Sequence, residues 1–291
     1  MKNLFSILHS ALIIMTPLLF AATGGLYTEL AGMLNIALEG LLLIGAFSAI
    51  AAAYFTGSFT AGLIAAIIAS VILSALLAFT TLNLRSNVFI TGLAVNLLAG
   101  GLSIVLSQYF FNTRGVVALP IVRAERAYAE CALPMVRHVY VYASLLLLFV
   151  SWLVIYKTPF GYRLRACAKH SDALVSLGIF PGTYQWIAFL VSGFCCGIGG
   201  SFLSLNLGAF VPNMAAGKGW IALVVIFLGG RRPLGLIIAA FIFGLAEAFS
   251  NYAQGAGIMP AFNVPVNFIL AMPYLLTLLA MVLASIVKQR D

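Results

Sequence analysis

The sequence predicts an all-α, polytopic membrane protein: a bundle of about 8–10 transmembrane helices with broken or half-helices around a central pathway. Hydrophobic residues make up 63% of the 291 residues, and charged residues make up 8%. Soluble domains carry about 25% charged residues, so this chain has too few charges to cover a surface that faces water. Because irregular backbone cannot face lipid, the apolar runs are predicted to be helices.

Nine apolar runs bounded by glycine, proline or charged residues define the predicted spans. They cover residues 10–27, 36–55, 60–81, 88–111, 140–156, 184–207, 220–228, 234–252 and 266–287. The run 220–228 is too short to cross a membrane alone, so we expect a half-helix or a helix extended by the neighbouring glycines. The longest polar stretch, 112–138, is at most a loop. We therefore expect one transmembrane domain over residues 1–291.

The basic residues lie between the apolar runs and predict the orientation of the chain. Cytoplasmic loops of membrane proteins carry an excess of lysine and arginine, which accounts for the net charge of +8 without a nucleic-acid partner. Counting spans places the N-terminus and a loop of about 112–138 outside, and a loop of about 157–183 and the C-terminus inside. The basic residues assigned to the inside are Arg85, Lys157, Arg163, Arg165, Lys169, Arg231, Arg232, Lys288 and Arg290.

Three carboxylates fall at or near membrane depth, where a charge needs a partner or a role. Glu29 is expected at a helix end, without an assigned role. Glu39 follows Asn35 by four residues, which would place both on one face of a helix. Glu247 lies inside the run 234–252.

The run 32–40, with a glycine at each end, predicts a discontinuous helix, which exposes unpaired backbone groups to a solute. Two interpretations of its polar residues remain open. Asn35, Glu39 and a third candidate, Asn96, either line a substrate pathway or hydrogen-bond to neighbouring helices and hold the packing.

The loop 157–183 contains the signals of a short surface helix at 172–177. Ser171 suits an N-cap and Gly178 suits the helix stop, while Asp172 is favourable at the positive end of the helix. Its exposed apolar positions need either a partner surface or lipid headgroups. Those positions are Ala173, Leu174 and Leu177.

Several runs resemble the permeases of ABC importers for simple sugars and nucleosides, a family related to branched-chain amino acid permeases. The run GMLNIALEGLLLIGA at 32–46 is similar to the family's N-terminal signature. FGYRLRA at 160–166, followed by Asp172-Ala173 and the LGI at 177–179, resembles its cytoplasmic coupling loop. The remaining matches follow in family order: Ser192-Gly193, GKGWIAL at 217–223, LGGRRPLG at 228–235 and FGLAEA at 243–248.

The resemblance implies a transport subunit of the bacterial cytoplasmic (inner) membrane that is not itself an enzyme and has no catalytic residue. It implies three partners: a second permease that forms a heterodimer with this chain, an extracytoplasmic substrate-binding protein and an ABC ATPase. ATP and Mg would be used by that ATPase, and no cofactor is expected in this chain. The residues implied to couple to that ATPase are Arg163, Arg165, Asp172, Ala173, Leu177 and Gly178. The stretch CAKHS at 167–171 departs from the family pattern, which would adapt the docking face to a particular ATPase.

A nucleoside or a simple sugar is the expected substrate, and riboflavin is an alternative, because some riboflavin importers use permeases of this type. A stand-alone channel or an ion-coupled carrier is a second class, which would use Glu39 and Glu247 as intramembrane charges. The three histidines lie at predicted boundaries or in loops, and no HExxH or CxxC motif occurs. The sequence therefore predicts neither an intramembrane enzyme nor a metal site.

Overall fold

The computed structural model describes residues 2–119 and 133–255. The helices are α1 (Lys2–Leu30), α2 (Leu38–Thr56), α3 (Phe59–Ala78), α4 (Val88–Phe111), α5 (Leu133–Lys157), α6 (Pro159–Lys169), α7 (Ser171–Ser176), α8 (Pro181–Leu207), α9 (Lys218–Leu228) and α10 (Pro233–Gly255). A π-helical turn, Phe79–Asn83, extends α3, and two short strands are β1 (Val117–Ala118) and β2 (Ala209–Phe210).

Seven helices in the described ranges are long and apolar enough to cross a membrane: α1, α2, α3 with its π-helical turn, α4, α5, α8 and α10. Helix α9 has 11 residues, which span about 16 Å, or half of a hydrocarbon core of about 30 Å. The predicted half-helix is confirmed, and so is the all-α, polytopic fold. The ninth predicted span, 266–287, and the basic residues Lys288 and Arg290 lie outside the described residues.

Helix α8 lies at the centre of the bundle, where it packs against α1, α2 and α3. Its glycines make this packing close: a Cβ at Gly193 would clash with Ser74 of α3, and a Cβ at Gly200 would overlap the carbonyl oxygen of Leu42 in α2. Small residues are the usual means by which helices approach each other in lipid. Helix α4 is peripheral and packs mainly on α2.

Contacts at the two ends of the bundle agree with the alternation of spans along the chain. At one end, β1 and β2 pair antiparallel, so the segments that follow α4 and α8 lie together. At the other end, Trp186 donates to Asn83 over 3.2 Å, and Arg231 pairs with Glu29 over 2.8 Å. The second end carries the loop 157–183 and is the predicted cytoplasmic side, so we call it the inner end.

The loop 157–183 folds into two helices, which corrects parts of the sequence prediction. Ser171 is the first residue of α7, and the N-cap position is occupied by His170, which has φ −143° and makes no side-chain capping hydrogen bond. Leu174 is buried, at 5% exposure, because α7 packs against α6 and the start of α8. Gly178 ends the helix as predicted, in the left-handed conformation with φ +75°.

Candidate functional site: the broken helix and its junction with a half-helix

Residues 31–37, which we call the break segment, separate α1 from α2. The prediction that Asn35 and Glu39 share a helical face is wrong, since α2 begins at Leu38 and Asn35 precedes it. The Asn35 side-chain oxygen accepts a hydrogen bond from the Ala37 backbone amide at 3.0 Å. An asparagine that bonds its own backbone in this way favours a turn over a helix. The prediction of a discontinuous helix is confirmed.

Two asparagine side chains hold the break segment against other helices. Asn35, at 1% exposure, donates to the Ser192 hydroxyl of α8 at 2.8 Å. Asn96 of α4 donates to the carbonyl of Ile36 at 3.0 Å and accepts from the backbone amide of Gly40 at 2.7 Å. The amide of Gly40 lies in the first turn of α2, where helical amides have no partner within the helix. Asn96 therefore satisfies backbone groups on both sides of the point where α2 starts.

The carboxylate of Glu39 binds the beginning of the half-helix α9. One oxygen accepts from the Gly217 amide at 2.8 Å and the other accepts from the Gly219 amide at 2.7 Å. A carboxylate at a helix N-terminus is stabilised by the unpaired amides and by the helix dipole. A Cβ at Gly219 would overlap the backbone of Glu39, so glycine is needed for this contact.

Lys218, between Gly217 and Gly219, forms an ion pair with a third helix, α10. Lys218 lies 2.9 Å from Glu247 of α10, and the two side chains are 15% and 26% exposed. Residues 217–219 therefore bind carboxylates from two separate helices, α2 and α10, and we call these three residues with Glu39 and Glu247 the junction. The sequence analysis did not predict the role of Lys218. The signal was a lysine between two glycines, directly before a short apolar run, because Glu247 in the middle of a span needs a cationic partner.

The junction is a hydrogen-bonded structure rather than a set of unpaired polar groups. Each of the carboxylates Glu29, Glu39 and Glu247 has a protein partner. The predicted pathway role of Asn35, Glu39 and Asn96 stays a prediction, because a side chain that supports the break segment can also border the pathway. In the described ranges, no group of three or more histidine, cysteine, aspartate or glutamate residues could hold a metal ion.

Tyrosine side chains hold the two arginines of the predicted coupling loop. Arg163 donates to the Tyr184 hydroxyl at 3.0 Å. The Arg165 guanidinium lies over the rings of Tyr156 and Tyr162, at 4.9 and 5.0 Å from their centroids, in the geometry of cation–π contacts. Because Tyr156 belongs to α5 and Tyr184 to α8, the two arginines link α6 to both neighbouring helices.

The surface of α7 that faces away from α6 and α8 is exposed, and so are the two residues after the helix. Asp172, Ala173 and Gly178 are exposed, and Leu177 is 75% exposed. Cys167 of α6 faces inward, and desolvation by burial raises the pKa of its thiol, which makes it a poor nucleophile.

The chain matches known membrane permeases over most of its length. Residues 7–286 match the family described as the branched-chain amino acid transport system permease component. Similar proteins include a nucleoside ABC transporter permease of Lactococcus lactis, 29% identical over 95% of this chain and 91% of the relative. A guanosine ABC transporter permease of Bacillus subtilis is 29% identical over 94% and 90%.

A third relative, the putative glucose ABC transporter permease of Haloferax volcanii, is 27% identical over 88% of this chain and 80% of its own. No solved structure matches the chain at a significant level. Together with the seven apolar helices, these matches confirm the resemblance seen in the sequence and a multi-pass protein of the cytoplasmic membrane. The chain belongs to the family of transport-system permease components named after the branched-chain amino acid transporters.

Proposed function

We propose that this chain is the transmembrane permease subunit of an ATP-binding-cassette importer that carries a nucleoside. The observation that carries the proposal is the similarity, over 94–95% of the chain, to permeases named for nucleosides and for guanosine. A simple sugar is the second candidate, which the relative named for glucose favours. Asn35, Glu39 and Asn96 are proposed to border the pathway, because amide and carboxylate groups suit a solute that is rich in hydrogen-bonding groups.

Transport would proceed by alternating access, with ATP and Mg used by a partner ATPase. The support for this docking is the exposed apolar face of α7 at the inner end, which carries Leu177 at 75% exposure. In this proposal ATP binding closes the ATPase subunits, the loop 157–183 transmits the movement, and the pathway opens outward to accept a solute from a binding protein. Hydrolysis then resets the cycle.

The second permease of the complex is proposed to be a different chain. Two nucleoside permeases of one Lactococcus lactis strain match this chain at 29% and 25% identity. Two guanosine permeases of one Bacillus subtilis strain match it at 29% and 22%. Such pairs of unlike relatives within one organism favour a heterodimer.

The ion-coupled carrier or channel receives less support from the geometry. Such a protein needs intramembrane charges that can bind or release an ion. Glu39 instead binds two backbone amides, and Glu247 binds Lys218. Both carboxylates that were candidates for ion coupling are therefore engaged within the protein.

Substitution of Leu177 by glutamate should remove the ATPase from the complex. The charge would lie in the apolar centre of the docking face, where an unpaired buried charge costs several kcal/mol. The measurement is co-purification of the ATPase with the tagged permease. Leu84→Glu is the matched control, since Leu84 is also exposed, at 60%, and follows the π-helical turn at the inner end outside the loop 157–183. Equal recovery of the ATPase with Leu177→Glu and with the native chain would contradict docking at α7.

The substrate is tested with the binding protein and with the assembled transporter. We expect binding of guanosine or another nucleoside in the micromolar range or tighter, which is about −8 kcal/mol, and nucleoside uptake that stops without the ATPase. Glucose, riboflavin and leucine serve as competitors in the same assays. If riboflavin or glucose binds to the binding protein and nucleosides do not, that compound is the substrate. Uptake that continues without the ATPase would favour the ion-coupled carrier.

A further inference from the structure

The break segment lies between the coupling loop and the junction, and its inner end contacts the coupling loop directly. Gly32 has φ +82°, and a Cβ at this position would lie 3.0 Å from the Cα of Ala168 in α6. The side chain of Gln185, near the start of α8, donates to the carbonyl oxygen of Ala31 at 3.3 Å. Two consecutive residues of the break segment therefore touch the elements on either side of α7.

Two carboxylates, one on each side of the break segment, bind the two ends of α9. Glu29, just before the segment, pairs with Arg231 after the end of α9 at 2.8 Å. Glu39, just after it, accepts from Gly217 and Gly219 at the start of α9. Since α9 has 11 residues, both of its ends are tied to the same short stretch of chain. A displacement of the break segment must therefore move α9 or break these bonds.

We infer that the break segment transmits the movement of the coupling loop to the half-helix α9, with Gly32 and Gln185 as the positioning residues at the point of transmission. This inference rests on the proposed function, since it requires an ATPase that moves α6 and α7. The movement passes from α6 to Gly32 and Ala31, along the break segment to Glu39, and from Glu39 to α9. Packed segments transmit displacement in discrete steps because close-packed contacts are not continuously deformable.

Other segments at the inner end make weaker candidates for this role. Helix α5 joins the coupling loop covalently at Lys157, but among the described elements α9 has its main contacts with α1, α10 and α2. Helix α8 also leaves the loop directly and packs on α2, but that packing lies farther along α2 than Glu39, at Leu42 and Ala46, and near the start of α2 its side-chain bond runs from Ser192 to Asn35 of the break segment. Helix α1 also contacts both α6 and α9, and it continues directly into the break segment. The break segment adds the contact with α6 at Gly32 and leads to Glu39, which binds the start of α9.

The test compares uptake with ATP hydrolysis in the assembled complex, reconstituted in liposomes with its ATPase, second permease and binding protein. Radiolabelled guanosine is the probe, and the readout is guanosine taken up per ATP hydrolysed. Gln185→Glu replaces the amide group that donates to the Ala31 carbonyl by a carboxylate of similar shape, which cannot donate. Ala168→Leu places a larger side chain against Gly32. For each we expect retained ATP hydrolysis and a ratio that falls by about tenfold, within the usual range of coupling between sites.

A residue that only supports the fold would lower the amount of complex, uptake and hydrolysis together, and leave the ratio unchanged. Gly57→Ala is the matched control for a third variant, Gly32→Ala. Both glycines have a positive φ, +70° at Gly57, but Gly57 lies between α2 and α3 with no neighbour within 4 Å of a Cβ. We expect the ratio to fall in Gly32→Ala and to stay near the native value in Gly57→Ala.

The failure of the inference differs from the failure of the proposed function. If the native complex hydrolyses ATP without taking up any nucleoside, sugar or flavin, the proposed function is wrong. If the native complex transports guanosine and the variants at Gln185 and Ala168 keep the native ratio, the break segment does not transmit the movement. If Gly57→Ala lowers the ratio as much as Gly32→Ala, backbone strain rather than the contact with α6 explains the effect.

Discussion

Replacing Glu39 with alanine should abolish most nucleoside uptake. The change leaves the backbone amides of Gly217 and Gly219 without their acceptor, at a cost of about 1–3 kcal/mol for each unsatisfied donor. Each 1.4 kcal/mol lowers the population of the native arrangement of α9 relative to a displaced one by a factor of about ten. Uptake that requires the native arrangement should therefore fall by more than about tenfold. Glu39→Gln keeps one acceptor oxygen and should retain intermediate uptake. The measurements are initial uptake rate and the amount of complex in the membrane.

A capped helix at the inner end offers a matched control for Glu39→Ala. The side chain of Asn87 accepts from the amides of Phe89 and Ile90 at the start of α4, at 2.9 and 3.4 Å, in an exposed position. Water can replace this cap, so Asn87→Ala should cost about 1 kcal/mol and leave uptake near the native rate. Equal uptake in Glu39→Ala and in the native protein would show that the start of α9 needs no acceptor.

Removing one member of the pair between Lys218 and Glu247 should destabilise the complex more than removing both. Lys218→Met leaves the Glu247 carboxylate without its partner, and Glu247→Met does the same to the Lys218 ammonium. Loss of one partner of a fully buried pair costs about 3–5 kcal/mol, whereas apolar replacement of both is often close to neutral. Since these side chains are 15% and 26% exposed, we expect a loss between that cost and the roughly 0–1 kcal/mol of an exposed pair. The unfolding temperature of the purified complex should therefore be higher for the double variant Lys218→Met/Glu247→Met than for either single variant.

The coupling energy of this double-mutant cycle decides whether the pair acts as a unit. Additive losses in the cycle would contradict the ion pair. The pair between Arg231 and Glu29 is the comparison, because Arg231 is 51% exposed and an exposed pair contributes about 0–1 kcal/mol. Arg231→Gln should therefore lower the unfolding temperature less than Lys218→Met. If the double variant regains stability and uptake, the pair positions α9; if it regains stability alone, the charges also act in transport.

The sequence predicted the helices well because apolar runs in lipid have a single solution for their backbone hydrogen bonds. Seven spans and the half-helix α9 appear at the predicted places. Finer predictions were less accurate. The N-cap at Ser171 and the exposure of Leu174 were wrong, because helix spacing and capping preferences do not report that α7 folds back onto α6 and α8.

At the candidate site, the sequence predicted which residues are involved but not which groups they contact. Asn35, Glu39 and Asn96 could be named from the sequence, since polar groups at membrane depth need partners. Their partners could not be named, because Glu39 and Gly217 are separated by 178 positions and Asn35 and Ser192 by 157. Local sequence patterns carry no information about which distant backbone amide will lie within 3 Å.

The amino-acid sequence by itself determined that the chain lies in lipid as helices, that a helix is broken within the run 32–40 and that the run 220–228 is too short to cross the membrane alone. Those properties follow from composition and from the cost of burying polar groups, which are local. Only the tertiary structure decided that Glu39 binds the start of α9, that Lys218 pairs with Glu247 and that Gly32 touches Ala168. These contacts depend on the relative placement of helices, which the packing of the whole bundle sets.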